Sequence, residues 1–157
     1  MNIFDDYTQQ LLLALNSNNV QYLIVGGYAV NYHGYRRTTG DIDLWIKPDN
    51  VNKEKVISSL KSLLVNTDAL IELTKLDFTK PLVFIDGEEP FKIDFMTYVS
   101  GVEFEAAWSR KIDENFDGIK VQFMHFDHLI ISKFTTGRAK DKLDIEELQK
   151  IKKMKKE

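Results

Sequence analysis

The stretch VGGYAVNYHGYRRTTGDIDLWI, residues 25–46, restricts the fold more than any other part of the chain. An apolar run, QYLIV, ends in Gly26-Gly27, and about fifteen residues later Asp41-Ile42-Asp43 opens a second run closed by Pro48. QYLIV reads as a buried strand, and YAVNYHG as a short helix ended by Gly34. DIDLWIK alternates with period two. It is therefore a strand whose Ile42, Leu44 and Ile46 point into the core while Asp41 and Asp43 project together from the other face.

Around this centre the pattern is that of helices on a small sheet. Phe4, Tyr7, Leu11, Leu12 and Leu15 suit a first amphipathic helix that stops at Asn18-Asn19. Asn50 is placed to cap a helix whose Val56, Leu60, Leu63 and Leu64 face inward. Residues 67–80 are ambiguous. LVFID, GEEP and FKIDFMTYV read as a β-hairpin, EFEAAWSRK as helical and GIKVQF as a short strand. Asp127 is placed to cap HLIISKFTT, which Gly137 ends. DKLDIEELQKIKKMKK then forms a last helix with Leu143, Ile145, Leu148 and Ile151 as its apolar face. The expectation is an α/β (α+β) fold, a small mixed sheet flanked by helices. It spans residues 1–157 as one domain, with a core at about 20–100 and a C-terminal helical part at about 103–157.

Composition narrows the function classes. With 157 residues, 43% apolar and 29% charged, the chain has the balance of an ordinary globular domain. A net charge of −3 supplies no general electrostatic grip on nucleic acid. The absence of cysteine excludes disulfides, thiolate zinc sites and a cysteine nucleophile. No basic leader and no apolar run of membrane-spanning length is present, so a cytoplasmic protein without a membrane partner is expected.

Two carboxylates roughly 7 Å apart along one strand repel each other when ionised, and a cation between them relieves the repulsion. Oxygen ligands without sulfur or clustered histidine favour Mg²⁺ or Mn²⁺, and a pair of such ions about 4 Å apart suits phosphoryl transfer. Asp94 lies in the apolar run FKIDFMTYV, where a lone carboxylate is costly to bury. If its strand pairs beside that of Asp41, three carboxylates meet at one metal pocket. Gly26 and Gly27 let backbone N–H groups approach a phosphate, and Arg36 and Arg37 are placed to grip a triphosphate.

Gly-Gly, a short helix, Asp-x-Asp at the head of a strand and a third aspartate on a later strand resemble the nucleotidyltransferase superfamily, the DNA-polymerase-β-like fold. The full string is similar to its small bacterial members, the abortive-infection nucleotidyltransferase toxins and the lincosamide-type antibiotic nucleotidyltransferases. Superfamily members often carry Gly-Ser where this chain has Gly26-Gly27, which removes one hydroxyl from the phosphate side. DHLIISKFTTGRAKDKLDIEEL resembles the last helices of the toxin-like group, with Lys133, Arg138, Lys140, Asp141 and Asp144 at matching positions.

The resemblance implies a minimal nucleotidyltransferase fold that moves a nucleoside monophosphate from an NTP, ATP among the candidates, to a hydroxyl acceptor, releasing pyrophosphate. It implies that Asp41 and Asp43 bind Mg²⁺ or Mn²⁺. Asp94 would hold the second ion and help deprotonate the attacking hydroxyl. Lys133 would approach the phosphates, and Asp141 would line the pocket or position that lysine. The acceptor would be a macromolecule, protein or tRNA, as for the toxin-like members, with an antitoxin as a possible partner. A small hydroxylated molecule such as an antibiotic is the alternative.

Each feature alone also has a structural explanation. Gly-Gly can be a tight turn, Asp-x-Asp a solvated strand edge, and Asp141 a helix N-cap. Tyr28 and Tyr32, four apart, suit core packing better than base stacking. His33, His125 and His128 read as structural or exposed, and KIKKMKKE as a basic helix end. A non-catalytic nucleotide- or partner-binding module would use the same scaffold, although it has no need of three clustered carboxylates.

Overall fold

In the computed structural model, which describes residues 3–63, 65–87 and 92–155, the two runs flanking the glycines form strands as expected, and they pair with each other. Tyr22–Val25 forms β1 and Ile42–Ile46 forms β2, antiparallel, with Val25 opposite Asp43. Val83–Asp86 (β3) and Ile93–Met96 (β4) make the hairpin, and β4 runs parallel to β2 with Asp94 opposite Asp43. On the other side of β1 lies β6 (Ile119–Phe123), parallel to it, with β5 (Ile112–Phe116) antiparallel beyond. The strand order is β3-β4-β2-β1-β6-β5. It is a six-stranded mixed sheet.

Helices cover it. α1 (Asp6–Ser17), capped by Asp5, packs against α3 (Asn50–Ser62) and β6. α2 (Gly26–Tyr32) grows directly out of β1, so the two glycines form its first turn rather than a separate loop. α4 (Thr67–Thr74) packs on α3 and gives the ambiguous 67–80 stretch its structure. α5 (Phe104–Ser109), α6 (Phe126–Thr136) and α7 (Ala139–Lys155) follow. Leu11, Leu12, Leu15, Leu23, Ile24, Leu44 and Ile46 are fully buried. Trp45, on the Asp43 side of β2, is buried too, against the edge of Phe104 at 5.1 Å. Beyond Asp43 both faces of the strand are therefore covered.

Several local expectations are corrected. Asp49, not Asn50, caps α3 by accepting from the Asn52 backbone N–H, while the Asn50 side-chain Oδ1 accepts from the Phe78 backbone N–H. His125, not Asp127, caps α6 through Nδ1. Leu143 on α7 is exposed, and Asp141 and Asp144 take buried positions beside Leu148. The strand β5 was not expected. Leu64 and most of the GEEP turn lie outside the described residues. No helix among the described residues is long and apolar enough to cross a membrane.

Candidate active site

Parallel pairing of β2 with β4 sets Asp43 and Asp94 side by side, about 4.8 Å apart at the backbone, and Asp41 stands one residue ahead of β2. Burial, and then the charge of Asp94, pushes the Asp43 carboxyl up to about 7. Asp94 Oδ1 is buried without a hydrogen-bond partner among the described residues. The Lys92 ammonium stands 3.2 Å from Asp41 Oδ2 and 4.0 Å from Asp94 Oδ1. Among the described residues no three acidic or histidine side chains are gathered around a single point.

The chemistry of these donors fits a divalent ion. All are hard oxygens, one is buried and unsatisfied, and burial together with the charge of Asp94 disfavours the bare Asp43 carboxylate, which a cation would relieve. Gly26 adjoins them at φ +63°, and a Cβ there would collide with the Asp43 carboxylate. A Cβ on Gly27 would collide with Thr39 in the same way. Both glycines are thus required by close approach of the β2 segment to the first turn of α2.

A second charged cluster joins α6, α7 and the 35–40 segment. Lys133, only 8% exposed in its side chain, places its ammonium 2.9 Å from Asp144 Oδ2 and 3.2 Å from Asp141 Oδ1. Arg37 donates through Nε and Nη2 to both oxygens of Asp144, at 2.8 and 2.9 Å. Asp141 also accepts from Thr136 Oγ1 and from Arg138 Nε. Burial alone would raise both carboxyls. It is outweighed by Arg138, Thr136 and Lys133 around Asp141, and by Arg37 and Lys133 around Asp144, so both sit below the usual carboxylate range. Asp141 is not a helix cap; it ties α6 to α7.

Two cavities open on this side of the sheet segment, and one of them reaches Asp43. A cleft of about 230 Å³ is lined by Gly26, Asp43, Lys133, Arg138, Asp141 and Tyr98, bringing Gly26, Lys133 and Asp141 of the expected nucleotide residues together with Asp43. Arg36 and Arg37 instead line a larger cavity of about 710 Å³, with Tyr28, Tyr32, Glu114 and Phe116. Arg37 is committed to Asp144, whereas Arg36 is exposed. Tyr28 stacks on Phe4, and Tyr32 stacks on Phe123 while donating to Glu114. Each tyrosine is therefore half core and half cavity wall.

His33 packs at the end of α2 with Nε2 on the Met124 carbonyl at 2.8 Å. Lys92, Asp144 as a shared carboxylate and Glu114 escaped the sequence reading. Lys92 had a signal as a lysine two residues before Asp94 and so on the same strand face, and Asp144 had one only through its matching position in the last helices.

The family described as "Nucleotidyl transferase of unknown function (DUF2204)" matches residues 4–157. The chain belongs to this family. The nucleotidyltransferase is also similar in structure to a lincosamide antibiotic adenylyltransferase, LnuA, solved with lincomycin bound. The TM-score is 0.55 and the identity 16%, over 96% of this chain and 99% of the other. That likeness establishes the minimal nucleotidyltransferase fold. No match was found among curated proteins.

Proposed function

We propose that this nucleotidyltransferase moves a nucleoside monophosphate from a metal-bound NTP to a hydroxyl of a small, ring-bearing acceptor. The observation that carries the reading is the in-register pair Asp43 and Asp94 beside Asp41 and the Gly26 turn. Asp41, Asp43 and Asp94 would hold Mg²⁺ or Mn²⁺, which when bound neutralises phosphate charge and activates the acceptor hydroxyl.

The chain's own groups do the rest. Gly26 lets the Asp43 carboxylate lie against the first turn of α2, on the wall of the cleft that would receive the triphosphate. Lys133, clamped by Asp141 and Asp144, holds fixed positive charge on the opposite wall of the cleft. Arg36 rather than Arg37 is available to the phosphates, because Arg37 holds Asp144. Asp94 takes the hydroxyl proton as the acceptor oxygen bonds to the α-phosphorus and the bond to the β-phosphate oxygen breaks, releasing pyrophosphate.

The larger cavity supports a small acceptor over a protein or tRNA. Its volume is in the range of small-molecule sites, and Tyr28, Tyr32 and Phe116 give it aromatic walls. The structural neighbour, an antibiotic adenylyltransferase, has a small acceptor too.

Titration calorimetry with non-hydrolysable analogues of the four NTPs, with and without Mg²⁺, tests the donor half. Metal-dependent binding that Asp43→Asn abolishes is expected. Binding indifferent to metal and to that substitution overturns it. Label transfer from α-³²P NTP to hydroxylated small molecules, protein and tRNA then ranks acceptors, and labelling confined to macromolecules overturns the small-acceptor reading.

A further inference from the structure

We propose that Tyr98 is the platform on which the donor's nucleobase stacks, and that the site therefore takes purine nucleotides in preference to pyrimidine ones. The inference rests on the metal-nucleotide reading above. Ile93, Phe95 and Thr97 are buried, whereas Asp94 and Met96 are half-buried and Tyr98 is 59% exposed. The alternation of β4 thus runs past its end and leaves Tyr98 on the face that carries Asp94. Four residue rises separate the two, no more than about 13 Å. Tyr98 lines the same cleft as Gly26, Asp43 and Lys133, and it makes no hydrogen bond or ring contact with another described residue.

The lining of the cleft is of two kinds. Asp43, Lys133 and Asp141 bring charge from β2 and the α6–α7 pair, while Met96, Val99 and Leu129 bring apolar surface. A nucleoside triphosphate is divided in the same way, charged at one end and flat-ringed at the other. With the phosphates at the carboxylates and Lys133, the base falls to the apolar wall. Tyr98 is the only aromatic ring among the described residues that line the cleft. The backbone that carries it is held on both sides. The Thr97 hydroxyl accepts from the Leu82 backbone N–H at 2.9 Å and donates to the Lys80 carbonyl at 2.8 Å. Val99 pairs with Val102 across a turn in which Gly101 has φ +80°, and a Cβ on Gly101 would collide with Thr135 of α6. The turn therefore rests against the helix that carries Lys133, and the platform needs little ordering when a base arrives. The contact is to the face of the base rather than its edge. Ser132 Oγ donates to the Leu129 carbonyl, and Thr136 Oγ1 to the Lys133 carbonyl and Asp141, so neither hydroxyl proton is free for a base. Purines offer the ring more area than pyrimidines, and adenine and guanine differ little in that respect.

The test is titration calorimetry with Mg²⁺ present, using non-hydrolysable analogues of ATP, GTP and CTP and, as a probe without a base, inorganic tripolyphosphate. Wild type is expected to bind the ATP and GTP analogues with similar affinity, and both more tightly than the CTP analogue. Tyr98→Ala should weaken the purine analogues roughly tenfold or more and leave tripolyphosphate unchanged. Tyr98→Phe, which keeps the ring, should behave as wild type. Purine binding indifferent to Tyr98→Ala, or tripolyphosphate weakened in equal proportion, overturns the proposal, as does a CTP analogue bound as tightly as the ATP one.

Wild-type protein labelled with 3-fluorotyrosine gives a second measure that needs no folded alanine variant. The ¹⁹F resonance that Tyr98→Phe deletes must move when the ATP analogue is added with Mg²⁺ and stay in place with tripolyphosphate. No movement, or equal movement with both, overturns the proposal. Failure of wild type to bind any of these probes would sink the metal-nucleotide reading itself and this inference with it. Normal nucleotide binding with no effect of residue 98 would sink only the role of Tyr98.

Discussion

Asp144 is held between two cations, Arg37 and Lys133, and is 1% exposed. Removing its charge takes away the bidentate partner of Arg37 and leaves buried Lys133 with Asp141 alone, so Asp144→Asn should cost about 3 kcal/mol at pH 7, measured by urea unfolding. Because the folded protein holds Asp141 and Asp144 below their ordinary value of 3.8, their stabilisation is complete above that pH. It is lost as pH falls through the lower folded-state values. Wild-type melting temperature should therefore drop below pH 4, and Asp144→Asn should lose less over the same interval. Gly26→Ala joins a positive φ to a collision with Asp43. It should cost about 1–3 kcal/mol and abolish nucleotide binding in the calorimeter. At this scale the sequence made Asp41, Asp43 and Asp94 legible, because alternation in an apolar strand leaves a carboxylate few structural uses. Arg37 was legible as important, but its partner was not. Asp144 lies 107 residues away, and nothing local announces a pairing of that range.

Elements were legible where apolar periodicity was strong. β1, β2, α1 and the β3–β4 hairpin follow directly from it. β5 did not, because IDENF alternates half-exposed and exposed residues at the sheet edge. Its signal was the turn: Asp117 and Gly118 adopt φ +52° and +88°, the Asp-Gly geometry of a tight hairpin. α4 was hidden for another reason. Its anchorage comes from Lys53 on α3, whose buried ammonium donates to the Thr74 and Leu76 carbonyls at 3.0 Å each. A lysine that satisfies a helix end from a neighbouring helix has no sequence signature. Lys53→Met should destabilise the protein by about 1–3 kcal/mol while leaving nucleotide affinity unchanged, which thermal melts and calorimetry on the same sample would check.

Across the whole molecule, the carboxylates come from the centre of the sheet and the fixed cation from the α6–α7 pair, with the 35–40 segment joining them. A ligand gripping both sides should stabilise all of it together. An ATP analogue with Mn²⁺ at about 100 times its dissociation constant should raise the melting temperature by roughly 5–10 °C, and EDTA should cancel the gain. The span of the Arg37–Asp144 pair also bears on biosynthesis. On the ribosome the sheet strands bearing Asp41, Asp43 and Asp94 are made well before α7, and folding proceeds from the N-terminal side. Until α7 emerges, Lys133 has neither of its carboxylate clamps and Arg37 has no anchor. The charged cluster that holds Lys133 and Arg37 in place therefore cannot close until residue 144 has emerged from the ribosome.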